Sequence, residues 1–295
     1  MTYESAFLSG LTEKVLTAME AGPSWIKPWV DSYPYNAYTK KPYRGVNLAY
    51  LAYEKRSMDA WATPKQWKRL GTEPKESAKP SYIYTQFPVK AKGIDELSQK
   101  EFTYTLYIER FYEAYCADQV IPKGRFFNSI PVVPIFKNKE IESLLDRSGA
   151  EISYIGNVAC YMPSADEIYM PRKQVFKATK LATAEEHFYA TFLHEMIHWT
   201  GHVSRLGRIG VCDLKEFSPY EEQIDVDAFE ELVAEIGAAI MCKSFGLISE
   251  MRDDHINYLA SWISHLKERP DALILAINMA QNACDYLFKY KQVSK

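Results

Sequence analysis

The sequence predicts an α+β protein with two domains, an N-terminal α+β domain and a C-terminal, mostly helical domain with a small sheet. Apolar and polar residues alternate as in strands at 81–89 and 102–108, in the first half. Long helical periods of apolar residues dominate the second half. Two prolines interrupt the connecting stretch 126–136. The predicted domains are therefore residues 1–136 and 137–295.

Local patterns predict each N-terminal element. An amphipathic helix over 5–21 ends at a Gly-Pro pair, and a second helical pattern covers 46–57. A short helix over 63–70 begins with Thr-Pro, which favours a helix start. The two strands form a hairpin whose polar loop spans 90–100.

The C-terminal elements begin with a helix over 139–147. Two short strands, 158–162 and 167–170, flank a turn. Four helices follow, over 184–200, 228–245, 251–267 and 270–289.

The composition argues against export and against a membrane span. No run of eighteen apolar residues and no basic, apolar leader is present. The five cysteines are scattered without a CxxC pair, as expected for free thiols in a reducing compartment. We therefore expect a cytoplasmic protein without a membrane partner.

A metal-binding motif lies in the predicted helix 184–200. His194-Glu195-Met196-Ile197-His198 reads HExxH, and residues four apart share one helix face, so both imidazoles can bind one cation. Glu195 can take a proton from zinc-bound water, whose pKa the metal lowers to about 7. The motif predicts a zinc-hydrolase site, with two surface histidines on an ordinary helix as the alternative.

The third ligand is open between three possibilities. The metzincin spacing holds as far as Gly201, but Ser204 stands where that class has a histidine. His202 follows the motif by four residues, although the glycine before it is expected to end the helix. The next helix offers Glu231 and, one turn later, Glu235, which could orient a ligand histidine. These carboxylates could also be solvated charges at a helix start.

The two short strands before the HExxH helix suggest how a substrate would be held. An edge strand can bind an extended peptide by main-chain hydrogen bonds. A plain structural hairpin is the alternative. Tyr161, Tyr169 and His202 are unranked candidates for stabilising an oxyanion.

Basic and aromatic residues are interleaved between Trp25 and Arg69. Nine Lys or Arg residues stand against three acids in this stretch, together with ten Trp and Tyr residues. Cations that follow phosphates and rings on which bases stack are typical of single-strand binding surfaces. Rings in a core and charges in solvent are the alternative.

The C-terminal motifs resemble the ArdC antirestriction proteins of conjugative plasmids. The resemblance is carried by 189–202 (YATFLHEMIHWTGH), by the Arg-Leu pair at 205–206 and by 230–239 (EELVAEIGAA). The approach to the acidic helix, 223–227, departs from the family pattern. The resemblance implies a gluzincin-like metallopeptidase domain with ligands His194, His198 and Glu231 and with Glu195 as the base.

The N-terminal stretches 25–29 (WIKPW), 43–47 (YRGVN) and 61–66 (WATPKQ) are similar to the DNA-binding domain of the same family, also found in plasmid primases of the TraC type. The segment 90–123 matches poorly. The resemblance implies an N-terminal domain that binds single-stranded DNA. The candidate DNA-binding residues are Trp25, Lys27, Trp29, Lys40, Lys41, Tyr43, Arg44, Asn47, Trp61, Lys65 and Gln66. Around the metal ligands we expect Glu235 and His202 as a second layer.

Together, these inferences lead to an antirestriction protein of the bacterial cytoplasm that protects incoming plasmid DNA. It would bind single-stranded DNA and carry a peptidase site with Zn²⁺, or another divalent metal such as Mn²⁺. Its substrate would be a protein or peptide, for example a host restriction component or a DNA-bound protein. The alternatives are a non-enzymatic shield with a structural metal and a protease unrelated to DNA.

Overall fold

The computed structural model describes residues 3–22, 25, 34–94, 101–121, 138–208, 210–211, 226–248 and 258–290. The predicted connection 126–136 and the first seven residues of the predicted helix 251–267 lie outside these ranges.

The described residues form helices and strands in alternation along the first half and mainly helices in the second. The helices are α1 (Tyr3–Glu20), α2 (Gly45–Tyr53), α3 (Pro64–Arg69), α4 (Asn138–Ser148), α5 (Ala184–Thr200), α6 (Val226–Phe245), α7 (Leu259–Glu268) and α8 (Pro270–Phe288). The strands are β1 (Tyr35–Asn36), β2 (Ala60–Ala62), β3 (Ser81–Ile94), β4 (Glu101–Cys116), β5 (Glu151–Tyr154), β6 (Cys160–Met162) and β7 (Glu167–Met170). The predicted α+β class is confirmed. No described helix is long and apolar enough to span a bilayer.

The chain folds into two compact units. The first comprises residues 1–7, 34–43 and 56–129, and the second comprises 8–33, 44–55 and 130–295. The units are therefore interleaved along the sequence and differ from the predicted ranges 1–136 and 137–295. The predicted boundary residue lies outside the described part of the chain, and its position stays a prediction.

The first unit is built on a four-stranded sheet with the order β1-β2-β4-β3. β1 pairs with β2 in parallel, whereas the other pairs are antiparallel, and β3 and β4 pair over fourteen residues from Ser81–Ala114 to Ile94–Glu101. A small core surrounds Trp67 of α3, whose indole nitrogen donates to the Tyr115 carbonyl at 2.9 Å. The predicted hairpin is confirmed and is longer than the sequence pattern indicated.

The second unit combines a three-stranded sheet with the long helices. The sheet order is β5-β7-β6, with β5 parallel and β6 antiparallel to β7, so β6 is an edge strand. The helix α6 packs against both α5 and α8. β1, β2 and β5 have two to four residues and were not predicted, whereas β6 and β7 are equally short and were predicted because they flank a turn-forming segment.

Local chemistry fixes both ends of α5, the helix that carries HExxH. Thr183 and Glu186 form a capping box, in which the Thr183 hydroxyl accepts from the Glu186 amide at 3.2 Å and the Glu186 carboxylate accepts from the Thr183 amide at 2.9 Å. The helix ends at Gly201, where a Cβ would lie 2.5 Å from Val211. A side chain at this position would push back the chain that follows the helix.

Close packing between α5 and α6 depends on Gly237. A Cβ at this position would lie 2.9 Å from Cδ1 and Cγ1 of Ile197, which is fully buried. The backbone of α6 therefore approaches α5 more closely than a larger residue would allow. This approach positions acidic residues of α6 beside the HExxH histidines.

Candidate metal centre

Two imidazoles on α5 point toward one place. His194 and His198 are buried, with 3% and 9% of their surface exposed, and their Nε2 atoms are 3.1 Å apart. Side chains four residues apart lie above one another on a helix face, which accounts for this geometry.

A carboxylate from α6 completes the cluster. Glu231 Oε2 lies 3.3 Å from His194 Nε2, and Glu231 Oε1 lies 3.5 Å from His198 Nε2. Two ligands at about 2.0–2.1 Å from a tetrahedral zinc ion are roughly 3.3 Å apart, so these separations fit one small divalent cation. In the described part of the chain this is the one group of His, Cys, Asp or Glu side chains with such an arrangement.

A buried ion pair behind His198 was not predicted. Glu230 Oε1 lies 3.1 Å from His198 Nδ1, and Arg208 donates to both Glu230 oxygens at 2.6 and 2.8 Å. Arg208 also donates to the Thr200 hydroxyl at 2.7 Å and to the Ile197 carbonyl at 2.6 Å. Glu230 is thus held where it can accept a hydrogen bond from Nδ1, which leaves the Nε2 lone pair facing the cation site.

Opposite charges and hydrogen bonds shift the pKa values of the groups around the cation site. Burial opposes protonation of His198, but hydrogen bonds and charge from Glu230 and Glu231 outweigh it and raise the His198 pKa to about 10. Burial also opposes ionisation of both carboxyls. Arg208 and His198 nevertheless lower the Glu230 pKa, and the two histidines lower the Glu231 pKa. A metal cation bound at this site would displace the proton that His198 otherwise holds between the two carboxylates.

Glu235 and His202 were predicted to form a second layer around the metal ligands, and their contacts differ from that prediction. Glu235 Oε1 is 3.8 Å from His194 Nδ1, which is beyond hydrogen-bond distance. His202 Nδ1 instead contacts the Ser204 hydroxyl at 2.8 Å and lies 3.8 Å from Asp166. Among the described residues, Glu230 is the carboxylate within hydrogen-bond distance of a ligand's outer nitrogen.

The three candidate ligands and Glu195 border one cavity of about 400 Å³. Glu195 is 3% exposed and lies on the same helix as the histidines. The remaining lining includes the β6 edge and the start of α6. It consists of Ala159, Cys160, Tyr161, Pro163, Gly210, Val211, Asp227, Glu230 and Tyr258.

Arg205 ties the turn between β6 and β7 to the end of α5. Its guanidinium forms an ion pair with Asp166 and donates to the Tyr161 hydroxyl at 3.2 Å and to the Trp199 carbonyl at 2.6 Å. The guanidinium also lies over the Trp199 ring, 3.9 Å from its centroid. The cavity wall formed by β6 is therefore fixed to the helix that holds the ligands.

The contacts of the Tyr161 and Tyr169 hydroxyls argue against the prediction that these residues stabilise an oxyanion. The Tyr161 hydroxyl donates to Asp166 at 2.7 Å, and the Tyr169 hydroxyl donates to Glu167 at 2.8 Å. Neither hydroxyl proton is directed at the cavity. Tyr258, which lines the cavity, was not among the candidates.

The candidate DNA-binding residues fall into buried and exposed groups. Trp25 and Trp61 are each 1% exposed, so their rings lie in cores rather than on a stacking surface. Lys27 and Trp29 lie outside the described residues. The exposed cations are Lys40, Lys41, Arg44 and Lys65.

Half-buried candidates surround the Asn36 amide. Asn36 Nδ2 donates to the Tyr43 hydroxyl at 3.0 Å and to Gln66 Oε1 at 3.1 Å. Burial raises the Tyr43 pKa to about 12, against a lowering effect of Asn36. Tyr43 and Gln66 belong to the first compact unit, whereas Asn47, also half-buried, belongs to the second.

The missed residues left little signal in the sequence. Glu230 was visible as one of several acids, but the choice between it and Glu235 depends on the exact rotation of α6. Arg208 lies in a loop after the helix, where no periodicity applies. Gly210 is explained by the position of Glu230, because a Cβ at residue 210 would lie 2.4 Å from Glu230 Cβ.

The fold and the ligand set define a zincin-like metallopeptidase domain. The family described as zincin-like metallopeptidase matches residues 139–279, which contain all three ligands, Glu195 and the Glu230–Arg208 pair. A second family, described as the N-terminal domain of anti-restriction factor ArdC, matches residues 6–112. The chain therefore combines a domain that matches the N-terminal domain of ArdC with a domain that matches the zincin-like metallopeptidase family.

Solved structures and sequence relatives agree with this assignment. The metal-free crystal structure of antirestriction ArdC protein from plasmid R388 has a TM-score of 0.73 at 29% identity and covers 96% of this chain and 97% of that chain. Its Mn(II)-bound structure has a TM-score of 0.69 at 27% identity, with the same coverage. A DNA primase TraC of Escherichia coli is 30% identical over 99% of this chain, which spans 20% of that primase. An uncharacterized protein of Sinorhizobium fredii, y4eC, is 27% identical over 94% of this chain and 90% of its own length.

Proposed function

We propose that this protein is an antirestriction factor that binds single-stranded DNA and hydrolyses a peptide bond with a divalent metal, either Zn²⁺ or Mn²⁺. The observation that carries the peptidase proposal is the set of His194, His198 and Glu231 around one point, with Glu195 on the wall of the same cavity. Two imidazoles, one carboxylate and an open fourth position are the donor set of catalytic zinc sites.

Each residue has a part in the proposed hydrolysis. A bound cation supplies a Lewis acid that makes water nucleophilic at neutral pH. Glu195 takes a proton from the attacking water and gives it to the leaving nitrogen, while the C–O bond forms and the C–N bond breaks. Glu230 keeps His198 in the tautomer that presents Nε2.

An extended peptide is the substrate that this cavity fits. β6 is the edge of its sheet, and residues 159–161 and 163 line the cavity beside the cation site. Main-chain groups of an edge strand can pair with an added strand. We propose a protein bound to the incoming DNA, or a component of the host restriction system, as the source of that peptide.

Glu195→Gln tests the peptidase proposal. The variant should keep the fold and the metal, since it changes no ligand, and should lose hydrolysis because the amide cannot accept the proton. Metal content is measured by atomic spectrometry, and protection of DNA is measured in a plasmid-transfer assay. Full protection by the variant would instead establish a shield with a structural metal.

The DNA proposal rests on the family match to residues 6–112 and on the exposed cations of that region. Replacing Lys40 and Lys41 by Ala should weaken binding of labelled single strands at low salt. It should also reduce the slope of log affinity against log salt by about one for each lost phosphate contact. Lys177→Ala with Lys180→Ala removes the same charge from exposed positions outside residues 6–112 and serves as the control. Equal losses in both variants would refute a localised site.

A further inference from the structure

The distal part of the β3–β4 hairpin presents an apolar face to solvent. Cross-strand partners lie on the same face of a sheet, and side chains alternate between its faces. The pairs Phe87–Ile108 and Val89–Leu106 therefore share one face with Tyr104 and Tyr112. We call these six residues the apolar face, and each of them is between 38% and 49% exposed.

The charged residues of the two strands, as far as the structure describes them, lie almost entirely on the opposite face. The register and the alternation place Lys90, Lys92, Glu101, Glu109 and Glu113 there. Their contacts agree, since Lys92 pairs with Glu101 at 3.0 Å and Glu109 accepts from Tyr84 at 2.6 Å. Arg110 is the one charged residue on the apolar side of the described strands, and its guanidinium lies 5.8 Å from the Phe87 ring centroid.

A ribbon of this kind lacks a core of its own. Beyond its base, β4 pairs only with β3 among the described strands, because β2 reaches no farther than Tyr115 and Cys116. Two-stranded hairpins are at best marginally stable in water without a covered apolar face. The exposed area of the apolar face, several hundred Å², matches the largest apolar patch of a typical monomeric protein, and such a patch often marks an interaction site.

We propose that the apolar face is a self-association surface, on which a second copy of this chain packs face to face across a two-fold axis. Charge favours a second copy over nucleic acid. The described strands carry three cations, Lys90, Lys92 and Arg110, which three glutamates match, so no surplus is left to neutralise phosphates.

The area also fits a second copy. The exposed parts of the six side chains amount to on the order of 500 Å² in one copy, so a symmetric pair buries on the order of 1,000 Å². This is the size of a weak, reversible interface. We therefore expect a weak, reversible monomer–dimer equilibrium.

Two neighbouring residues on opposite faces give a sharp test. Leu106 belongs to the apolar face, whereas Tyr107 is 63% exposed on the opposite face. Sedimentation velocity of the full chain, over a hundredfold range of concentration, should show a reversible dimer. Leu106→Glu should weaken association at least about tenfold, because it buries a charge in an apolar contact. Tyr107→Glu should leave the dimer unchanged.

A second variant covers the case in which Leu106→Glu does not fold. Val89→Thr with Leu106→Thr keeps a high strand propensity and removes apolar contact area, and it should also weaken association. Circular dichroism and metal content check the fold of each variant. A wild-type chain that stays monomeric throughout, or a dimer that both faces affect equally, would overturn the proposal. Loss of DNA binding without a change in self-association would overturn it as well.

Discussion

At the scale of single residues, the position of the ligands depends on groups that do not touch the cation site. The Arg208–Glu230 pair is almost completely buried and joins the end of α5 to the start of α6. A buried carboxylate that lost its cation partner would be strongly destabilised. The pair therefore fixes both the charge and the direction of the His198 ring.

Glu230→Gln should lower metal affinity, and it should also destabilise the fold because the buried Arg208 guanidinium loses its counter-charge. The amide preserves the shape of the side chain but accepts less strongly from His198 Nδ1, and loss of such an outer partner costs about 10–100-fold in affinity. Competition with a chromophoric chelator measures the change. Glu235→Gln is the matched control on the same helix, because its carboxylate stands 3.8 Å from His194 Nδ1, and its effect should be smaller. Equal effects would contradict the role of Glu230.

The Asp166–Arg205 pair predicts a pH dependence of stability. The hydrogen bond from Arg205 is the largest influence on Asp166 and, with Tyr161, lowers its pKa against the effect of burial. Because the folded pKa lies below the unfolded value, the stabilisation is present above the ordinary pKa of Asp and is lost as the pH falls through the folded pKa. Asp166→Asn should therefore flatten the acid limb of the free energy of unfolding. Urea unfolding from about pH 7 to pH 3 measures it. An unchanged acid limb would contradict this assignment.

At the scale of elements, the separation of α5 and α6 sets the separation of the ligands. The histidines come from one helix and Glu231 from the other. Their distance is fixed where Gly237 lies against Ile197. The packing of small residues at this crossing is thus part of the metal centre, although none of them contacts it.

Gly237→Ala should reduce both stability and metal affinity. The new methyl group would crowd Ile197, and overpacking in a core typically costs about 1–3 kcal/mol, more than the gain of up to about 1 kcal/mol in helix propensity. Ile197→Val removes the crowding Cδ1 atom, so the double variant should recover part of both losses. Urea unfolding and chelator competition on the two single variants and the double variant provide the test. Strictly additive losses would show that the contact is not the cause.

Elements with a long periodic pattern or with a local turn or capping signal were predictable, whereas the short strands β1, β2 and β5 were not. The bounds of α5 follow from a capping box at Thr183 and a glycine at its end, which are local signals. The acidic helix was one of three candidate sources of the third ligand, and the family resemblance pointed to its Glu231. The Arg208–Glu230 pair could not be predicted, since it joins a loop to a helix through tertiary packing. The burial of Trp25 and Trp61 likewise depends on packing that composition does not reveal.

At the scale of the whole molecule, metal binding and folding are linked through the second unit. All three ligands belong to that unit. Chelation should therefore lower its thermal stability, by about 2.7 kcal/mol if the free metal had been at a hundred times its dissociation constant. Calorimetry with and without chelator measures the shift. His194→Ala, which removes a ligand, should abolish most of the response, and a response of equal size in this variant would exclude the site as its source.

The interleaving of the two units has a practical consequence for dissection of the chain. The Gly45 amide donates to Gln281 at 2.9 Å, and the Thr12 hydroxyl donates to the Pro270 carbonyl at 3.1 Å, so α1 and α2 contribute to the surroundings of α8. A recombinant fragment beginning at residue 137 would leave the apolar surface beneath these helices bare. We expect such a fragment to aggregate, and to become soluble when a separate polypeptide carrying residues 1–55 is coexpressed. Residues 8–33 and 44–55 are thus structural parts of the unit that holds the candidate metal centre.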